Sequence, residues 1–314
     1  MGEASYVGGL FSCYSATTSE RRFFCANIFM KNRLTVFGTI QFVRTRFDNQ
    51  SYSKRFMGGN GLVASLAASK YANVDLIGVV GSDLDKTYLK KILGDKISVD
   101  NVEQISGNTF DYKATYHLRS YELLGQVIDF GAYEKYSPRA LNEKIKHSKY
   151  ILFSGSKPQL SLVIERQLLN PEVIAVDTLM YHLENNFNAS VELIDSAMIL
   201  FINNKEYEFL QEKLNSNLFK AFKRLRYVIR KNGKEGIDVI TPEKVYLFKP
   251  SKVVKPLNPI NAGDAISGVV MGMIAMGKSL NKNLNEIIST AQDEALKTIL
   301  NDKFYRKEYK KDSI

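Results

Sequence analysis

Residues 261–279 read NAGDAISGVVMGMIAMGKS, and either end of this stretch could hold a phosphate. Its second half, Gly272 to Ser279, fits G-x-x-x-x-G-K-[ST], a loop whose backbone N–H groups wrap phosphates between a strand and a helix. Its first half sets Ala262, Gly263 and Asp264 at the head of an apolar helix. The N–H groups of a first helical turn lack intrahelical partners, and a small-Gly pair lets an anion approach them. The helix dipole adds favourable charge. A carboxylate at Asp264 would stand beside that anion site. There it could take the proton from an attacking hydroxyl while the backbone donors hold a transferring phosphoryl group.

The surrounding elements decide between the halves. A P-loop needs a strand before its first glycine, but Met273, Ile274 and Met276 continue a helical spacing through it. Ala265, Val269, Met273 and Met276 are expected to form one apolar stripe. Gly277 then falls where a helix ends, with Lys278 near the negative pole and Ser279 as N-cap of the next helix. The strand VIAVD (173–177), which could imitate a Walker B strand, lies far upstream, and little chain remains after residue 272 of 314 for a P-loop sheet. The complete pattern match is therefore helix-end chemistry. In the other half, Asn261 is the expected N-cap, and the plainest alternative for Asp264 is a first-turn acid that only satisfies the dipole.

From residue 33 onward, short apolar strands alternate with helices. Strands are expected at 34–42, 74–81, 150–155, 173–177, 197–203 and 227–233, with helices at 62–72, 86–93, 161–169 and 206–214. Strands rich in β-branched residues that interleave with helices imply a largely parallel sheet covered on both faces. Residues 108–130 differ: they alternate apolar and polar side chains and carry many aromatics, as an antiparallel ribbon apart from the main layer would.

Composition narrows the classes. No stretch approaches the roughly 18 apolar residues of a membrane helix. The two cysteines, Cys13 and Cys25, form no metal cluster with the scattered His117, His147 and His182, so a reducing compartment without structural zinc is expected. The net charge of +10 favours anionic partners, among which a phosphorylated small molecule stands ahead of nucleic acid. The densest basic run, 303–311, reads as a solvated basic tail (303–314). Residues 1–30 lack periodicity and the shape of a secretory signal. They read as an extension, disordered or a wrongly assigned start, with an organellar targeting peptide as the alternative to a cytoplasmic protein.

Four motifs in order resemble the phosphofructokinase-B family, the ribokinase-like sugar and nucleoside kinases, over roughly 34–300. Asn258-Pro259-Ile260-Asn261-Ala262-Gly263-Asp264-Ala265-Ile266-Ser267-Gly268 is similar to the signature D-[PT]-T-G-A-G-D-[AS]-F-x-G-G. Residues 56–84 resemble its N-terminal signature, in which Gly58-Gly59 opens a helix before a strand ending in V-G-x-D. Asn203 and Glu206 look like its Asn-x-x-Glu element, and Lys231, Gly233 and Gly236 like its K-x-G-x-x-G turn. The resemblance implies an α/β fold, a three-layer α/β/α sandwich over 31–302, with a mostly parallel central sheet and a small antiparallel β lid from about 40–56 and 108–130. It implies an ATP-dependent phosphotransferase acting on a hydroxyl of a sugar or nucleoside, with Mg2+.

The implied roles follow residue by residue. Asp264 would be the general base, and the N–H groups of Ala262, Gly263 and Asp264, after the turn at Asn261, the anion hole. Glu206 with Asn203 would organise the magnesium through water. Lys231, Gly233 and Gly236 would lie on the nucleotide side, and Gly58, Gly59 and Asn60 on the acceptor side. Read locally, Asn203 to Glu206 is also a capping box, Lys231 to Gly236 also a plain turn, and Asn60 also a helix cap. The family often dimerises through its lid, and a homodimer of that kind is left open here. The chain departs from the pattern at Asn258, Ile260 and Asn261, and at Val43 and Val63, where acceptor-holding residues are expected. Those departures keep an alternative in view: a ribokinase-like protein with weakened catalysis that serves as a binding or structural partner.

Overall fold

β1 (Arg33–Gly38) is apolar enough for the middle of a sheet, and every residue of it but Arg33 is buried. Its side chains alternate between two cores: Leu34 and Val36 pack on one face, Phe37 on the other. The computed structural model describes residues 32–257 and 260–300, together with Tyr305 and Glu308. The readings of residues 1–30, of Asn258 and of the rest of 303–314 lie outside the described residues.

The strand expected over 34–42 is two strands in two sheets. After Gly38 the chain turns, because Thr39 gives its backbone to the next helix rather than to a ladder: its carbonyl accepts from Leu62 N–H at 3.3 Å. β2 (Gln41–Phe47) and β3 (Phe56–Gly58) then belong to a small sheet, and α1 (Asn60–Ala68) returns the chain to the main layer. There β4 (Asn73–Gly81) pairs with β1, followed by α2 (Lys86–Leu93), β5 (Ile97–Ser98) and β6 (Val102–Ile105). β7 (Asp111–Tyr116) and β8 (Leu123–Asp129) are the ribbon expected at 108–130.

The remainder alternates. α3 (Glu143–Lys146) precedes β9 (Tyr150–Ser154), and α4 (Pro158–Glu165) precedes β10 (Val173–Asp177). α4 begins earlier than the expected 161–169 because Pro158 occupies its first turn, where a missing N–H costs nothing, and it ends at Glu165. α5 (Met180–Asn185) and α6 (Phe187–Asp195) lead to β11 (Ile199–Asn203), then α7 (Asn204–Leu214) and α8 (Leu218–Ala221) to β12 (Tyr227–Lys231). β12 stops short of residue 233, since Asn232 N–H turns back to the Gly236 carbonyl at 2.9 Å. β13 (Ile237–Ile240), β14 (Val245–Phe248), α9 (Ala262–Ala275) and α10 (Leu280–Ile299) complete the chain.

The large sheet runs β14-β13-β12-β11-β10-β9-β1-β4-β5, with β6 also on β4. Pairings from β12 to β5 are parallel and the last two, β12–β13 and β13–β14, antiparallel. Leucines and isoleucines of α1, α2 and α10 pack with α9 on one face, and those of α3 to α8 on the other. This is the expected three-layer sandwich. The small sheet runs β3-β2-β7-β8; its outer pairs are antiparallel, while β2 and β7 are parallel.

α9 is buried all round from Asp264 to Ala275, not along one stripe, and Met276 is exposed. Its end confirms the helix-end chemistry of GMIAMGKS: Gly277 has φ 104 and Lys278 N–H returns to the Met273 carbonyl at 3.0 Å. The Lys278 ammonium pairs with Glu286. Ser279 is the N-cap of α10 without a side-chain capping bond, and its N–H donates to Asn283 Oδ1 at 3.2 Å. Tyr305 corrects the solvated-tail expectation at one point, since it is 2% exposed and donates to Glu294 at 2.5 Å.

The seam between α9 and α1 holds the two helices in backbone contact. A Cβ on Gly268 would stand 2.3 Å from the Ala64 carbonyl oxygen, and one on Gly272 2.9 Å from Ala68 Cα. Gly268→Val is therefore expected to cost about 3 kcal/mol through overpacking against backbone that cannot yield. Urea unfolding checks this, and a midpoint equal to wild type would refute it.

Candidate active site

The parallel strands deliver their C-terminal ends, and the helices that follow deliver their N-termini, to one side of the sheet, where open α/β sheets place ligands. Thr39 follows β1, Asp177 ends β10, Asn203 ends β11 and Lys231 ends β12. Asn60, Glu206 and Asp264 lie in the first turns of α1, α7 and α9.

At the head of α9, Asn261 adopts the left-handed conformation (φ 68, ψ −1), which asparagine tolerates better than most residues. It occupies the expected N-cap position but makes no side-chain capping bond. Its Nδ2 instead approaches Gly58, 3.8 Å from where a Cβ there would stand. The first helical bond runs from Ala265 N–H to the Asn261 carbonyl at 3.1 Å. The N–H groups of Ala262, Gly263 and Asp264 thus stand ahead of the helical ladder.

Asp264 is 8% exposed, and its Oδ1 accepts from Asn60 Nδ2 at 2.8 Å. Burial pushes its pKa up to about 6, reinforced by the Asp177 charge and opposed by Lys231 and the Asn60 bond. Asn60 is not a helix cap; Gly59 (φ 106) takes that place. The Asn60 Oδ1 accepts from the Thr39 hydroxyl at 3.2 Å, which orients the amide so that its NH2 faces Asp264. Gly155 leaves the room it needs, since a Cβ there would lie 2.6 Å from Asn60 Cγ. The backbone contact of α9 on α1 thereby sets the placement of the carboxyl.

Lys231 is not on the rim of the turn that follows it. Its Nζ donates to Asp177 Oδ1 at 2.5 Å, with the two side chains 14% and 3% exposed. Burial works against the ammonium, but Asp177, Asp264 and Glu206 together hold its pKa above the ordinary value. Gly233 (φ 58) and Gly236 (φ 103) form the turn itself; a Cβ on Gly233 would meet nothing within 4 Å.

Glu206 is 3% exposed and makes the reciprocal capping box with Asn203. Its Oε2 accepts from Asn203 N–H at 3.1 Å and from the Thr178 hydroxyl at 2.9 Å, and its Oε1 from Met180 N–H at 3.0 Å. Burial raises its pKa, against the pull of Lys231 and the Asn203 N–H. A carboxylate offers about four lone-pair sites, and three are taken here, two on Oε2 and one on Oε1. Among the described residues no cluster of three or more His, Cys, Asp or Glu could hold a metal alone.

Val43 and Val63 are fully buried, and a Cβ on Gly58 would lie 2.6 Å from Val43 Cγ2. Sequence reasoning missed Asp177, Thr178 and Thr39 as parts of the site. For Asp177 a signal exists, an acid ending a buried strand, but the sequence reading takes VIAVD as a strand without giving its aspartate a role. Thr39 lay inside an expected strand, where nothing marked it.

The fold is that of ribokinase-family sugar and nucleoside kinases. A profile of the pfkB family carbohydrate kinases matches residues 32–286, and the chain belongs to that family. Among solved structures, a nucleoside kinase of Methanocaldococcus jannaschii superposes with TM-score 0.69 at 18% identity, over 83% of this chain and 90% of that one. A Burkholderia thailandensis nucleoside kinase in complex with inosine gives 0.68 at 15%, covering 88% and 95%. An Arabidopsis thaliana ribokinase complexed with ribose and ATP gives 0.64 at 16%, covering 86% and 99%. At these identities the likeness is one of fold. No curated protein matches the chain. No helix among the described residues is long and apolar enough to cross a membrane.

Proposed function

We propose that the protein transfers the terminal phosphoryl group of ATP to a hydroxyl of a sugar or nucleoside. The observation that carries this is the head of α9: a buried carboxyl, steered by Asn60, beside three N–H groups ahead of the helical ladder. Asp264 takes the proton of the acceptor hydroxyl as its oxygen bonds to phosphorus and the bond to the ADP oxygen breaks. The N–H groups of Ala262, Gly263 and Asp264 hold the charge on the group in transfer. Glu206, with Asn203, holds magnesium through water, and the metal when bound offsets the charge of the ATP phosphates. Gly233 and Gly236 border the nucleotide, and Gly58, Gly59 and Asn60 the acceptor. On β8, exposed Leu123, Leu124 and Val127 support pairing of two copies through the small sheet.

A second reading, binding without transfer, is favoured by buried Val43 and by the Asn261 side chain over Gly58. ATP consumption with Mg2+ over a panel of sugars and nucleosides separates the two. The kinase reading expects at least one acceptor to stimulate turnover. It also expects kcat/KM to fall about tenfold per pH unit below about 6, as Asp264 takes up a proton. No stimulation by any acceptor, with no thermal shift by ATP, would refute the kinase reading. An acid limb nearer pH 4 would remove Asp264 as the titrating base.

A further inference from the structure

Lys231 is a cation stationed at the positive end of a helix. Its Nζ lies 3.1 Å from where a Cβ on Gly263 would stand, inside the first turn of α9. The N-terminus of a helix carries partial positive charge, and an ammonium placed there is unfavourable. Burial opposes it further, and the neighbouring carboxylates outweigh that burial. A salt bridge that served only to join β12 to β10 would not need the ammonium at this point.

Three features converge there. The N–H groups of 262–264 lie ahead of the ladder, Gly263 leaves the gap beside them without a side chain, and the Lys231 ammonium closes its far side. The N–H groups and the ammonium attract an anion, and the gap admits it. The acids Asp177, Glu206 and Asp264 that surround the ammonium would otherwise repel a phosphate from the same place.

We infer that Lys231 is the fixed cation of the anion hole, its ammonium touching the phosphoryl group in transfer, and that Asp177 is a positioning residue anchoring it. The inference rests on the kinase reading above. As the acceptor oxygen bonds to phosphorus and the ADP oxygen leaves, the ammonium offsets charge on the equatorial oxygens and neither gains nor loses a proton.

Calorimetric titration of the full chain with ADP and Mg2+, with and without aluminium fluoride as a mimic of the group in transfer, tests this. Wild type is expected to bind ADP with aluminium fluoride at least tenfold more tightly than ADP alone. In Lys231→Met the two affinities are expected to differ by no more than about twofold, the gain being lost, and Lys231→Arg is expected to keep part of it. Since Lys231→Met leaves Asp177 buried and unpaired, the double variant Asp177→Asn/Lys231→Met restores a neutral pair. It is expected to fold and bind ADP, again without the gain. Comparing the two ligands within each variant cancels any general loss of stability. A gain that survives in either variant overturns the inference and leaves the kinase reading intact. Wild type that binds ADP without any gain also overturns it. Wild type that binds no ADP overturns the kinase reading and this inference together.

Discussion

Asp264→Asn is expected to reduce turnover about 10³-fold while raising the melting temperature. The first effect is the loss of a general base, which contributes about 10² to 10⁴. The second follows from the pKa. Burial lifts the carboxyl to about 6 from an ordinary 3.8, so the folded state binds the proton more tightly than the unfolded chain. Stability from this group is fully present below the unfolded value. It is lost as pH rises through the folded one, so at pH 7 the whole cost is paid, about 3 kcal/mol at 1.36 kcal/mol per unit. An asparagine carries no charge to desolvate, and its amide oxygen can accept the same bond from Asn60 Nδ2. The variant is expected to melt about 5 °C higher than wild type at pH 7, with the difference vanishing near pH 4. Scanning calorimetry at the two pH values checks it. A variant less stable than wild type at pH 7 would show that the ionised carboxylate supports the fold. Turnover that survives the substitution would remove Asp264 as the base.

Glu206→Ala is expected to damage the fold more than any other single change in the site. Truncation orphans the N–H groups of Met180 and Asn203 beside a cavity and leaves the Thr178 hydroxyl only its longer bond to the Phe201 carbonyl at 3.3 Å. Unsatisfied buried donors cost about 1–3 kcal/mol each, so a loss of about 4 kcal/mol is expected in chemical unfolding. Glu206→Gln separates support from chemistry. Its amide oxygen keeps some of these bonds, and the fold is expected to lose only about 1–2 kcal/mol. If Glu206 also steadies magnesium through water, the Mg2+ concentration for half-maximal turnover rises several-fold in the Gln variant. An unchanged Mg2+ dependence would leave Glu206 a structural cap between β10, β11 and α7.

Much of this site is legible because local chemistry writes it. The Asn203–Glu206 capping box is specified by spacing alone, and the structure forms it. Asn261 in a left-handed turn is likewise a local preference, realised at φ 68. The rejection of the P-loop match was also local: a helical period runs through Gly272, and Gly277 ends it. Where local reading went astray, a long-range partner had intervened. Residues 34–42 look like one strand, yet Thr39 bonds the start of α1 and the chain divides between two sheets. Asn60 looks like a cap, yet its amide spans 204 positions to Asp264. Lys231 looks like part of a turn, yet its ammonium crosses to Asp177 on β10.

By itself, the sequence determined the alternation of strands and helices, the parallel sheet, the ends of α9 and the acid in its first turn. All of these depend on period, propensity and capping within a few residues. The tertiary structure alone decided the electrostatics of the site. Glycines let α9 lie on the backbone of α1, which sets Asn60 against Asp264, and parallel pairing brings Asp177 and Lys231 to the same edge. A carboxyl with a pKa near 6 and an ammonium at a helix head are consequences of burial among distant segments, and no window of sequence contains them.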